Sequence, residues 1–212
     1  MSYSSYTWLG EYILYDVPDD RVDAGEDQSV IIHEYGHALH DALIGDDIGN
    51  PNPNFSGISE GIGFYLGISY RRTVSDFLPN EASNWYDPGK YQISESLRYP
   101  DDWVGYNYHE QGEVWASMLM DIEEEISRDV ATTLMLQSIH YVDRNMGPTE
   151  NAEAIVFAEN ELYGGNYHDT IINILKIILL QIILITEYIF IILRPLYLVI
   201  LLTITEAVQC YG

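Results

Sequence analysis

Of the 33 acidic side chains in this sequence, only Glu187 and Glu206 lie beyond residue 170, and from there to residue 202 isoleucine and leucine dominate. One packing scheme does not suit both parts of such a chain. A helix at a water boundary needs a polar face, whereas Ile171–Thr186 has only Asn173, Lys176, Gln181 and Thr186 to make one. A spanning helix needs about 20 apolar residues with few charges. Between 171 and 202 the charges Lys176, Glu187 and Arg194 recur every 7 to 11 residues. Three readings of the tail stay open. It is one helix ending before Pro195, with membrane contact through residues 171–202; or a hairpin; or a run never selected to fold, of the kind a shifted reading frame leaves. The chain is accordingly divided into 1–168 and a hydrophobic tail, 169–212, expected to lie outside the main fold.

Residues 1–170 hold 31 acids against 7 Lys or Arg. A surface so negative repels phosphate backbones and argues against nucleic acid as a partner. It suits bound cations, basic peptides, a high-salt medium, or simply a well-solvated acidic surface. Cys210 is the sole cysteine, so no intrachain disulfide forms. The opening Met1-Ser2-Tyr3-Ser4-Ser5-Tyr6 has neither the basic nor the apolar part of a signal peptide. The chain therefore reads as intracellular or as the downstream piece of a longer precursor, and neither location nor oligomeric state follows from it.

Within 1–168 the pattern is mainly helical, with a small β element at the N-terminus. Tyr12-Ile13-Leu14-Tyr15 reads as a strand ended by Val17-Pro18-Asp19-Asp20. From about Glu26 to Leu43 only Gly36 interrupts a helix, and Glu26 and Asp27 suit its positive end. Residues 44–56 form a Gly- and Pro-rich loop, and a second helix runs from about Gly57 to Arg72. Residues 74–108 read as a long irregular stretch, a kind of loop that often carries function. A third helix covers about Glu110–Ile126, with Trp115, Leu119, Ile122 and Ile126 on one side and Glu123, Glu124 and Glu125 on the other. Two more are expected near Val130–Asp143 and Thr149–Leu162, the last stopped by Gly164-Gly165.

The segment His33-Glu34-Tyr35-Gly36-His37 carries the chemistry. Helical residues four apart share a face, so His33 and His37 can turn two imidazoles to one metal ion. Glu34 then projects beside them, where a carboxylate can take a proton from a metal-activated water. An ordinary helix with two surface histidines shows the same letters. A third ligand is needed, and Glu60, 23 residues after His37 and flanked by the small Ser59 and Gly61, supplies it from the next helix. Two histidines, a glutamate and one open position make a catalytic zinc set.

Three separate stretches, in order, then resemble the glutamate-zincin peptidases. They are His33-Glu34-Tyr35-Gly36-His37-Ala38-Leu39-His40-Asp41, Ser56–Gly63 and His109–Ala116. The nearest likeness is to the fungalysin-like branch, with thermolysin more distant. The segments Val22–Asp27 and Leu162-Tyr163-Gly164-Gly165 look like the same branch, so the resemblance covers about residues 11–168. It implies a zincin-type helical lobe and a zinc-dependent endopeptidase acting on peptide or protein substrates. His33, His37 and Glu60 would be the zinc ligands, Glu34 the general base, and His109 the donor to the tetrahedral oxyanion. Tyr106 and Tyr108 are further candidates for that oxyanion. Calcium is a second candidate ion to which no residue is assigned, and the complete protein is expected to be extracellular.

This sequence also departs from the pattern. Where such peptidases continue Glu-Gly-x-Gly-Asp, with the aspartate orienting a zinc-binding histidine, this chain has Phe64. Losing such a carboxylate costs about ten- to a hundredfold in metal affinity or activity. Asp27 and Asp41 are the nearby acids that would replace it. The β-rich lobe that precedes the zinc helix in that family is reduced to the Tyr12–Tyr15 run, and the Ile/Leu tail replaces an amphipathic helix. Two alternatives to the peptidase follow: an inactive relic of the same fold that binds without cleaving, and a protein anchored to a membrane by its tail.

Overall fold

The structure, a computed structural model, describes residues 4–7, 12–15, 24–45, 52–82, 89–93, 97–104 and 107–175. The fold is mainly α. An antiparallel hairpin opens it, β1 (Ser4–Thr7) paired with β2 (Tyr12–Tyr15) in the register Ser4↔Tyr15 to Thr7↔Tyr12. The strand expected at Tyr12–Tyr15 is present; its partner was not expected, because Ser4-Ser5-Tyr6-Thr7 has no apolar alternation to mark it. Helices α1 (Gln28–Ile44), α2 (Phe55–Arg71), α3 (Tyr108–Ile126), α4 (Arg128–Ser138) and α5 (Pro148–Tyr163) follow. Each begins within two residues of its expected start.

Local chemistry sets the ends. Asp27 caps α1, its Oδ1 accepting from Ser29 N at 2.9 Å and from Ser29 Oγ at 2.6 Å. Asn107 caps α3 by accepting from His109 N at 3.2 Å. This fixes the backbone at His109, and the side chain leaves from the first turn. Pro148 opens α5, and Gly164 closes it at φ 64°, a left-handed position that glycine takes without strain.

Helix α2 is the keystone, packed against α1 on one side and α3 on the other. Its Ile58, Ile62, Phe64, Tyr65 and Ile68 are buried among Leu119, Ile122 and neighbouring core residues. Close approach comes from missing side chains. A Cβ on Gly36 of α1 would lie 2.9 Å from Gly63 Cα of α2, and a Cβ on Gly112 of α3 would lie 2.5 Å from Glu60 Cβ. Glu60 is thus gripped between helices. One expectation about α3 is corrected here: Glu123 is buried rather than solvated, because Ser69 Oγ donates to its Oε2 at 2.5 Å and Arg128 Nε lies 3.5 Å from its Oε1.

The stretch 74–108 is less irregular than expected. Arg71 in the last turn of α2 and Arg72 at its C-cap hold the first part of the stretch. Arg71 donates to the carbonyls of Phe77, Leu78 and Glu81, and Arg72 to the carbonyl of Pro79 and to Asn80 Oδ1. The chain then forms a short antiparallel pair, β3 (Glu81–Ala82) with β4 (Tyr91–Gln92). Strands of two residues leave no alternation to read in a sequence.

Residues Met1–Ile178 form one unit and Leu179–Gly212 another. The second unit lies outside the described residues, as does most of the tail. The part that is described changes the boundary set at 168. After Gly165 the backbone N–H of Tyr167 donates to Glu159 Oε1 at 2.9 Å, and residues 168–175 are helical. Ile171 and Leu175, one turn apart, are fully buried while Asn173 faces out. A single inward pair is enough to seat this helix, and a run of Ile and Leu hides such a pair from a composition count. No helix among the described residues is long and apolar enough to cross a membrane.

If Gly112 is the contact that sets the α2–α3 spacing, Gly112→Ala must push Glu60 aside or part the helices. The expected cost is about 1–3 kcal/mol of unfolding free energy, as for other overpacked cores. Urea titration of both proteins checks it, and an unchanged midpoint would show that the interface has slack.

Candidate metal centre

The second and third turns of α1 and the second turn of α2 bring three donors together. His33 Nε2 lies 3.1 Å from His37 Nε2 and 3.2 Å from Glu60 Oε2, and His37 Nε2 lies 3.7 Å from Glu60 Oε1. A tetrahedral ion with bonds of 2.0–2.1 Å keeps its donors about 3.3 Å apart. The three separations, two of them to different oxygens of Glu60, bracket that value. All three side chains are mostly buried, with 13%, 17% and 12% of their surface exposed.

The donor chemistry fits a cation too. Buried Glu60 Oε2 has no aligned hydrogen bond, although His33 Nε2 lies beside it. The two Nε2 atoms point at each other, so at best one proton serves both. A divalent ion between the three groups would take a lone pair from each Nε2 and one from the Glu60 carboxylate. Burial, more than any other cause, lowers the His33 pKa to about 4 against the opposing pull of Glu34. Burial and then His33 do the same for His37, also to about 4. Both rings are therefore neutral near pH 7, which is the ligating form.

Glu34 is buried, next to His33 and three residues before His37, and so on a side of α1 shared with His37. His109 reaches the group from α3, its Nε2 3.7 Å from Glu60 Oε2, with a third of its side chain exposed. The donor group itself is His33, His37 and Glu60. His109 therefore flanks them rather than joining them. Its pKa is lowered, chiefly by burial and against the pull of Glu60. Tyr108 lies against it, ring centroids 4.4 Å apart, and Tyr106 lies outside the described residues.

The β3–β4 pair supplies a wall. Tyr91 stacks on His109 at 5.2 Å and 15°, and its ring is 5.0 Å from that of Phe64. Gln92 N donates to Glu113 Oε2 at 3.3 Å, one turn beyond His109 on α3. Burial pushes the Glu113 carboxyl up to about 7. Nothing in the spacing of residues 74–108 marks Tyr91 as part of this group.

The histidine partners differ from expectation. Neither Asp27 nor Asp41 bonds to a ring nitrogen of His33 or His37. Asp27 caps α1, and Asp41 is paired with Arg144. His37 Nδ1 is instead 2.9 Å from Ser59 Oγ. His33 Nδ1 is buried with no hydrogen-bond partner among the described residues, and Phe64 packs on its ring at 4.6 Å. In the sequence Ser59 reads only as a small neighbour of Glu60, whereas its hydroxyl is the part that meets His37.

His40, one turn beyond His37, is a core residue stacked on Phe55 at 5.0 Å. Burial, followed by the charges of His37 and Arg144, holds its pKa down to about 3. Below pH 6.5 the unfolded chain takes up a proton that folded His40 refuses. Its stabilisation is therefore full above pH 6.5 and is lost as pH falls toward 3, at up to about 1.4 kcal/mol per unit. Between pH 7 and 5 the metal-free protein should lose about 2 kcal/mol more than His40→Gln does. Denaturant titrations at the two pH values check this, and equal losses would mean His40 is already protonated or exposed. No protein-family model matches the chain, and no curated protein matches it significantly, so the case for a metal rests on this donor set alone.

Proposed function

We propose that the chain is a zinc-dependent peptidase domain of the glutamate-zincin kind, with His33, His37 and Glu60 as ligands, Glu34 as base and His109 as oxyanion donor. The observation that carries this reading is the convergence of two neutral imidazoles and a carboxylate at ion-binding spacing, with a buried oxygen left unsatisfied. A zinc ion held there would supply Lewis acidity, polarising a carbonyl and lowering the pKa of a coordinated water to about 7. Glu34 takes a proton from the attacking water on its carboxylate and passes it to the leaving amine nitrogen. His109, partly exposed and neutral, donates from Nε2 to the carbonyl oxygen as that oxygen gains charge. Tyr91 stacks on the ring of His109 and limits its rotation. The surplus of acids over bases in residues 1–170 favours peptides over nucleic acids as substrates.

A second reading, the weakened relic, draws on Phe64. It takes the place of an orienting carboxylate, and His33 Nδ1 goes unpartnered beside it.

The tests separate the two. Native protein should carry one zinc per chain, and His37→Ala none; equal metal contents would end the metal reading. Glu34→Gln should keep its zinc while peptide hydrolysis falls about 10²–10⁴-fold. His109→Ala should lower turnover about 10²–10³-fold at unchanged zinc content. Zinc-loaded parent protein without hydrolysis, in a chain whose zinc affinity rises about ten- to a hundredfold on Phe64→Asp, would favour the relic.

A further inference from the structure

Ser59 and Glu60 are neighbours on α2, and both face the two histidines of α1. Glu60 approaches the Nε2 side of both rings, and Ser59 Oγ lies 2.9 Å from the far nitrogen, Nδ1, of His37. The corresponding nitrogen of His33 faces the backbone of Gly63, where a Cβ would come within 2.7 Å of it. With Phe64 packed on the ring, that nitrogen has no hydrogen-bond partner among the described residues. An imidazole that ligates through Nε2 must keep its proton on Nδ1, and whatever accepts that proton sets both tautomer and ring plane.

We propose that Ser59 is the positioning residue of this centre: its hydroxyl oxygen accepts the Nδ1 proton of His37 and so holds that ring, alone of the two, in its ligating form. This rests on the metal reading given above. It makes the site lopsided. His37 is fixed by a hydrogen bond, whereas His33 is fixed by packing against Phe64 and by the edge of His37, 4.7 Å away. A hydroxyl, unlike a carboxylate, orients the ring without adding negative charge behind it. One helix then supplies a ligand and orients a second ligand carried by another helix, so metal affinity reports the register of α1 on α2.

The experiment compares the full-length parent chain with Ser59→Ala and Ser59→Thr. Alanine favours a helix, so α2 is not put at risk by the first change. In the metal-free proteins at mildly alkaline pH, nitrogen-15 spectra of the imidazoles give the tautomer of each ring. The parent should show His37 protonated on Nδ1, Ser59→Ala a mixture, and Ser59→Thr the parent's state. Zinc affinity, measured by chelator competition, should fall about ten- to a hundredfold in Ser59→Ala and return in Ser59→Thr. A parent His37 protonated on Nε2, or Ser59→Ala binding zinc as tightly as the parent, would overturn the role of Ser59. Failure of the parent itself to bind zinc would overturn the metal reading instead, and the tautomer measurement, made without metal, would still judge Ser59 by itself.

Discussion

Gly36 and Gly63 face each other where α1 meets α2, and with no side chain between them the two backbones come near enough for His33 to rest against Gly63 itself. The donor group depends on that approach. Each imidazole reaches only a few ångströms from its own helix, so a wider gap would carry Glu60 out of range of both Nε2 atoms. Gly112 then lets α3 close on the other side of α2, bringing His109 up to the same carboxylate. Three helices converge on one glutamate because three glycines allow it.

The same tightness explains the polarity of the site. Packing excludes water from His33 and His37, so both stay neutral and both offer lone pairs. Exclusion of water also leaves Glu60 Oε2 and His33 Nδ1 without an aligned hydrogen bond among the described residues, each costing about 1–3 kcal/mol if nothing else satisfies it. Such a cluster is poor as a means of stability. It is the kind of local conflict that proteins keep where a ligand resolves it.

Much of this was legible in the residues. The i, i+4 histidines announced the helix and the shared face, and the small residues around Glu60 announced a close helix pair. The apolar spacing and the loops rich in Gly and Pro place the helix starts to within two residues. What stayed hidden was long-range. No pattern within residues 74–108 tells that Arg71 and Arg72 gather their carbonyls, or that Tyr91 lands on His109. Asp41 looked available to a histidine because it is one turn from His37, yet Arg144, over a hundred residues later, claims it. Glu123 reads as solvated beside Glu124 and Glu125, yet Ser69 of α2 donates to it across the interface. In each case a distant partner overruled a local reading.

The turn after α5 bears on where this molecule ends as a physical object. Glu159 is wholly buried, and the backbone N–H of Tyr167 reaches back to it. Ile171 and Leu175 follow as further seals of the core. A fragment cut at Gly165, where the hydropathy changes, would strip a donor from an interior carboxylate and bare the apolar surface those two side chains cover. The shortest self-sufficient fragment therefore extends at least to Leu175.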